Sequence, residues 1–176
     1  MIDYTKEELV ELLRKTPEKF NEWKQEQEEV DLSETDFSGI SLNEIDFSGA
    51  DLNSSSFADC NLSLVNFSDT DLTSVDFTRA RVLECDFTDS LLTGADCSYA
   101  EMTYCNFTEC DLAGCIFSET DLSNSDMSTS LNLGASRFDE DTIWPDPEYL
   151  PDDFDAAYTK DLSSLSDDED TVQSDY

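Results

Sequence analysis

The chain has 176 residues and a formal charge of −34, from 9 Lys and Arg against 43 Asp and Glu, with no His and six Cys. A surface this negative repels phosphate, so the expectation is no direct binding of nucleic acid. Without His there is no side chain that ordinarily titrates near neutral pH, and with it goes the commonest catalytic base.

Residues 1–29 read as a helical cap. Thr5-Lys6-Glu7-Glu8 has the form of a capping box, and Leu9, Leu12 and Leu13 follow on one helical face. Pro17 suits the first turn of a second helix with Thr16 before it. Phe20 and Trp23 then fall where they would cover the end of whatever follows.

From Leu32 to Met127 every fifth residue belongs in a core, in the order Leu32, Phe37, Leu42, Phe47 and onward without a slip. The residue two before each centre is small or β-branched, as at Val30, Thr35, Ile40, Ile45 and Ala50. Residues two apart on an extended segment point to one side. Each repeat therefore reads as in, out, in, followed by two corner residues, and the corners carry turn formers such as Ser38-Gly39 and Thr88-Asp89. A turn after every three extended residues suits a coil wound around its own inward side chains. Cys97 stands where the alternation of Leu and Phe calls for Phe.

Stretches such as Ala50-Asp51-Leu52-Asn53-Ser54 and Val75-Asp76-Phe77-Thr78-Arg79 resemble the pentapeptide-repeat family, whose pattern is written A(D/N)LXX. The resemblance covers residues 30–138. It implies an all-β solenoid, a right-handed quadrilateral β-helix of about five to six coils with four repeats per coil. The Glu-Leu-rich helix and the Asn21-Glu22-Trp23 segment are similar to the N-terminal caps of many bacterial members.

After Met127 the register slips by one, with Leu133 and Phe138 in the new frame. Residues 139–162 read as a C-terminal cap segment, with Trp144, Tyr149, Leu150 and Phe154 as apolar cover. From 163 to 176 the chain is Ser- and Asp-rich without periodicity, and reads as a disordered acidic tail.

The cysteines fit small inward positions, except Cys97 at a centre, and read as reduced core thiols. Cys85 and Cys105 would stack in adjacent coils, which leaves a disulfide open. No Cys-x-x-Cys spacing exists for zinc. Neither a metal, a cofactor nor a catalytic group is expected, since the carboxylates sit on a convex rod with no cleft to shift them. The chain has no membrane span of about eighteen apolar residues and no export signal, so the expected compartment is the cytoplasm.

The charge is the functional signal. Residues 31–138 hold 3 basic against 20 acidic side chains. Over a rod on the order of 24 Å this is a net charge for every ~1.5 Å, against one per about 1.7 Å in duplex DNA. Folded onto four faces, one column carries Asp46, Asn66, Asp86, Asn106 and Asp126, and its corner adds Asp69, Asp89 and Glu109. This is the candidate acidic recognition face. A column placed two faces away carries Leu64, Arg81, Leu83, Glu84 and Tyr104, with Tyr99 on an adjacent corner. Leu64, Arg81, Leu83, Tyr99 and Tyr104 form the candidate contact patch. The reading is a non-catalytic acidic adaptor or regulator docking on a protein with a basic or mixed surface. The alternative follows from the resemblance: quinolone-resistance members of the family mimic duplex DNA and bind DNA gyrase, so the partner would be a DNA-binding enzyme. The chain is expected to be a monomer, or a dimer through its C-terminal end.

Overall fold

A computed structural model describes residues 4–155. Two helices open the described chain, α1 at Lys6–Lys15 and α2 at Pro17–Lys24. Thr5 and Glu8 close the capping box on α1, Leu9 and Leu13 are its buried face, and Leu12 is partly buried against the core. Pro17 opens α2, but the Thr16 side chain makes no cap hydrogen bond.

The repeats follow as a coil of 20 residues per turn, because position n bridges n+20 in parallel register, as Asp31 does Asp51 and Asp51 does Asp71. Four repeats per turn give four faces. The first is centred on Leu32, Leu52, Leu72, Leu92 and Leu112, and the second on Phe37, Phe57, Phe77, Cys97 and Phe117. Leu42, Leu62, Val82, Met102 and Leu122 centre the third, and Phe47, Phe67, Phe87, Phe107 and Met127 the fourth. Every one of these centres is buried. On the fourth face Phe67, Phe87 and Phe107 stack at centroid separations of 5.1 and 4.9 Å with rings within 10° of parallel. The second-face series is stacked from Phe37 through Phe57 to Phe77, where Cys97 interrupts it.

Buried amides must be bonded, and a fourth-face repeat shows how the rod manages it. Taking the fourth-face repeat centred on Phe67, the Asn66 amide bonds Ile45 O in the coil before. The amides of Phe67 and Asp69 bond Asp86 O and Thr88 O in the coil after, and the Thr70 amide closes a turn onto Phe67 O. The remaining amide, Ser68 N, is bonded by the Asn66 side chain at 3.0 Å. The corner residue two after the centre has φ between 52° and 71° at every repeat from Glu34 to Asn124. This left-handed conformation is costly for a side chain other than Gly, Asn or Asp.

The third face differs. Among the described residues it alone forms continuous strands, β1 at Ser41–Asn43, β2 at Asn61–Ser63, β3 at Arg81–Leu83 and β4 at Glu101–Thr103, in one parallel sheet ordered β1-β2-β3-β4. The residue before the centre here is Ser41, Asn61, Arg81 or Glu101 rather than Asp, and none of the four bonds the amide two residues on. In the next coil Asp121 bonds the Ser123 amide at 2.9 Å, and the turn from Leu122 O to Ser125 N returns with it.

The open edge of the first coil is closed by a side chain that imitates backbone. Asn21 of α2 donates to Glu44 O at 2.8 Å and accepts from Asp46 N at 3.0 Å. Later coils bond the amide equivalent to Asp46 N to the preceding coil, as Asn66 N does to Ile45 O. Phe20 lies on Phe47 with ring centroids 5.1 Å apart, and Trp23 packs on Phe20 and Tyr4.

Beyond Met127 the register slips twice rather than once. Asp111 bridges Leu131, 20 residues on, whereas Ile116 bridges Arg137 and Asp121 bridges Ile143. Asn132 turns left-handed and a short 3-10 turn, Leu133–Ala135, lets Leu133 fill the core. Trp144 packs on Phe117, Phe138 and Phe154 as the lid of this end. Tyr149 contributes backbone, accepting from Met127 N, while its side chain is exposed rather than covering the coil. The acidic tail at 163–176 lies outside the described residues.

Candidate functional site

Two kinds of carboxylate occupy the surface, and their local chemistry separates them. The first kind precedes a core centre. Asp31, Asp36, Asp46, Asp51, Asp71, Asp76, Asp86, Asp96, Asp111, Asp121 and Asp126 each accept the amide two residues on, at 2.8–3.0 Å. Asn66 and Asn106 do the same. These side chains are parts of the turn. Lys6, together with the Ser33 hydroxyl and amide, lowers Asp31 to about 2. Burial tends to raise Asp46, but Ser48 and Lys24 outweigh it and leave the carboxyl below the usual range.

The second kind sits on the left-handed corners: Glu34, Glu44, Asp59, Asp69, Glu84, Asp89, Glu109 and Glu119. Among the described residues, only the Asp59 carboxylate of this set has a partner, bonded by two guanidinium nitrogens of Arg79 at 2.8 Å. The others neither complete a turn nor pair with a cation.

The candidate acidic face is assembled as a column on the fourth face. Asp46, Asn66, Asp86, Asn106 and Asp126 are bridged in that order. All five are half-buried, and amide alternates with acid. Asn66 donates to Asp46 at 3.4 Å, and Asn106 donates to Asp86 at 3.4 Å and to Thr88 at 2.9 Å. The amides separate carboxylates that would otherwise repel one another in adjacent coils. Asp69, Asp89 and Glu109 line the neighbouring corner in three consecutive coils and are exposed. The first face has its own acidic run, Asp31, Asp51 and Asp71, which pattern reading did not single out.

The candidate patch lies on the third face and its two corners. Leu64, Tyr99 and Tyr104 are exposed at 46%, 57% and 59%, while Leu83 is half-buried in β3. Arg81 is held by Glu101 at 3.3 Å. The expected separation of patch and acidic column by two faces is corrected. Glu84 and Asp86 are two residues apart across a single corner, so third and fourth faces share an edge. With five residues per face, only a separation of about ten residues reaches the opposite side. Exposed Leu91 and Leu131 on the first face, and Ile143 near the C-terminal end, were missed because they occupy a position the repeat ordinarily gives to Asp.

All six cysteines are buried and free, Cys85 and Cys105 included. Burial pushes Cys60 up to about 11 and Cys110 up to about 12, and holds Cys97, Cys105 and Cys115 far from the thiolate form. Grooves exist at the ends, one of about 480 Å³ between α1 and the first coil and one of about 400 Å³ beside Leu133 and Phe154. Among the described residues no group of three or more Cys, Asp or Glu is placed to hold a metal, and no helix is long and apolar enough to cross a membrane.

Comparison with known proteins agrees with the five-residue repeat. The family model described as a pentapeptide repeat region matches residues 26–97, and that described as pentapeptide repeats in eight copies matches 90–128. No curated protein matches significantly. Among solved structures, the chain is similar to the pentapeptide repeat protein Rfr23 of the cyanobacterium Cyanothece 51142, at 17% identity and a TM-score of 0.64, over 72% of this chain and 99% of that one. It is similar to a pentapeptide repeat protein of the Arabidopsis thaliana thylakoid lumen at 30% identity and a TM-score of 0.52, over 53% of this chain and 65% of that one. Likeness to QnrB1, a plasmid-mediated fluoroquinolone resistance protein, is 24% in identity with a TM-score of 0.46, over 64% and 59% of the two chains. A coil of four five-residue repeats, braced at most of its steps by an Asp or Asn side chain and matched by these family models over most of its length, makes this chain a member of the pentapeptide-repeat family.

Proposed function

We propose that the protein is a non-catalytic interaction module, an acidic rod that docks as an adaptor or regulator on a protein with a basic or mixed surface. The observation that carries this reading is the set of corner carboxylates. Charge in the turn aspartates is explained by the fold. Charge at Glu34, Glu44, Asp69, Glu84, Asp89, Glu109 and Glu119 is not, and it adds self-repulsion to a molecule already at −34. Carboxylates without an internal partner are free to meet a cationic one. The rod is taken as a right-handed β-helix of five to six coils acting in the cytoplasm, where six unpaired thiols are at home.

A second reading is a mimic of duplex DNA. Asp69, Asp89 and Glu109 support it, standing in successive coils at a rise of about 4.8 Å on an edge free of basic residues. The two readings part in one experiment. Purified protein at micromolar concentration is added to a supercoiling assay with DNA gyrase, and binding to gyrase is followed by size-exclusion chromatography. Inhibition or protection, lost when Asp69, Asp89 and Glu109 become Asn, Asn and Gln, supports the mimic. An inert result removes it. The adaptor reading is tested by capturing partners from a source extract and rebuilding each complex from purified components. It fails if no captured protein reforms a stoichiometric complex, or if the complexes formed are indifferent to salt.

A further inference from the structure

The third face combines features that the other faces lack. Tyr99 and Tyr104 bracket strand β4, one at each corner, and Leu64 stands on the Tyr104 corner two coils earlier. These three are exposed, and all three sit in the left-handed backbone region, with φ of 63°, 58° and 55°. Asn, Asp or Gly would occupy those corners at lower cost, as Asn124 does one coil beyond Tyr104. Large apolar side chains are thus held outward against both hydration and backbone preference. Position by position, the fold itself has no use for them.

The charges around them are selectively neutralised. The two cations of this face, Arg79 and Arg81, are taken up by Asp59 and Glu101. Glu84 is left exposed with no cation, between Leu64 and Tyr104 in the same corner column. Stacked coils are spaced about 4.8 Å apart, so the Glu84 carboxylate has an apolar neighbour on either side at that spacing. A cationic group drawn to Glu84 would lie within cation–π range of Tyr104, which extends to about 6 Å. The strand backbone offers no edge to a partner here, because the sheet continues in register above and below. Recognition on this face must run through side chains.

We propose that the third face is a docking site for an arginine-bearing segment of another protein, with the guanidinium placed between Glu84 and Tyr104 and an adjacent apolar side chain seated against Leu64 and Leu83. Arginine fits better than lysine, because a planar guanidinium can bond a carboxylate along its edge while stacking on an aromatic face. Tyr99 forms the far wall across β4, about 10 Å away along the strand. This inference rests on the interaction-module reading and gives that module its contact surface.

The test uses the full chain, labelled for amide NMR, titrated with three probes: acetyl-Leu-Arg-Leu-Arg-Leu-amide, acetyl-Leu-Glu-Leu-Glu-Leu-amide and acetyl-tetra-arginine-amide. The expected result is that the first probe perturbs the amides of Glu84, Tyr99 and Tyr104 before others. Its affinity should fall at least about fivefold in Tyr104→Ser and in Glu84→Gln, and stay within about twofold in Glu28→Gln, an exposed acid outside both candidate faces. Both Tyr104 and Glu84 are exposed, so the fold tolerates the changes, and unaltered shifts for the Phe87 and Phe107 amides verify it. Equal binding of tetra-arginine, with shifts along Asp69, Asp89 and Glu109, overturns the proposal in favour of charge alone and leaves the module reading standing. Equal binding of the glutamate probe overturns the arginine, and no response to any probe overturns the site. The module reading stands or falls separately, on the reconstituted complexes.

Discussion

The third and fourth faces share one core and differ in the residue placed before each centre. On the fourth face that residue is Asp or Asn at every coil, it bonds the amide two residues on, and the backbone closes a hydrogen-bonded turn. In the first four coils of the third face it is Ser41, Asn61, Arg81 or Glu101, no such bond forms, and the backbone stays extended as β1–β4. Inward positions keep the coil's period, and on the fourth face the outward side chain braces the turn, although the Leu91 and Ile116 repeats close the same turn without such a brace. The difference also separates two uses of charge, since acid that completes a turn is architecture and acid that does not is available for recognition.

The first way to break the comparison is to cut each core at the same level. Phe87 is stacked between Phe67 and Phe107. Phe87→Ala should cost about 3–5 kcal/mol for the lost burial and cavity, with about 0.5–1.5 more for each stacked pair. Val82→Ala on the third face removes only two carbons and should cost about 2 kcal/mol. Urea unfolding of both variants measures this. Equal losses would mean that the Phe ladder adds nothing beyond volume, and that the two faces differ only outside.

A sharper cut spares the core and removes one outward acid from each face. Asp86 accepts from the Thr88 amide at 3.0 Å and the Thr88 hydroxyl at 2.6 Å, so Asp86→Ala should cost about 1–3 kcal/mol. Glu84→Ala removes no bond and should stay within about 0.5 kcal/mol. If the two variants unfold at one urea concentration, the division of acids into turn-forming and free is wrong. Protons make a similar cut at Asp31. Its folded pKa is lowered to about 2 by Lys6 and Ser33, below an unfolded value of about 3.9. A depressed folded pKa gives stability that is present above the unfolded value and lost as pH falls through the folded one. The urea midpoints of wild type and Asp31→Ala should therefore converge between about pH 4 and pH 2, and parallel midpoints across that window would overturn the assignment.

How much of this was legible in the sequence follows from what a period can encode. The pentapeptide repeat and its twenty buried centres could be read, because burial at a fixed spacing leaves a direct mark. Placement of the patch could not be read as safely. Leu64, Leu83 and Tyr104 were assigned to a face opposite the acidic column, and the structure puts them next to it, since a corner is crossed between Glu84 and Asp86. The double slip near the C-terminal end escaped notice because Leu133 and Phe138 remain five apart while the bridges around them lengthen from 20 to 22 residues. Asn21 escaped as well. Its side chain stands in for a missing coil, and nothing in composition distinguishes such an amide from a surface one.

The smallest effect tests the part of the comparison on which recognition depends. If Tyr104 is held outward for a partner rather than for the fold, replacing it should not destabilise the rod. Its φ of 58° is a conformation that Asn tolerates better than Tyr. Tyr104→Asn should therefore leave stability unchanged or raise it by up to about 1 kcal/mol. Asn124 already occupies the equivalent corner in the following coil with φ of 61°. A loss above about 1 kcal/mol in urea would show that the ring shields something beneath it, the buried Thr103 or the half-buried Leu83 being the candidates. The tyrosine would then belong to the architecture, and the third face would lose its strongest claim to be a contact surface.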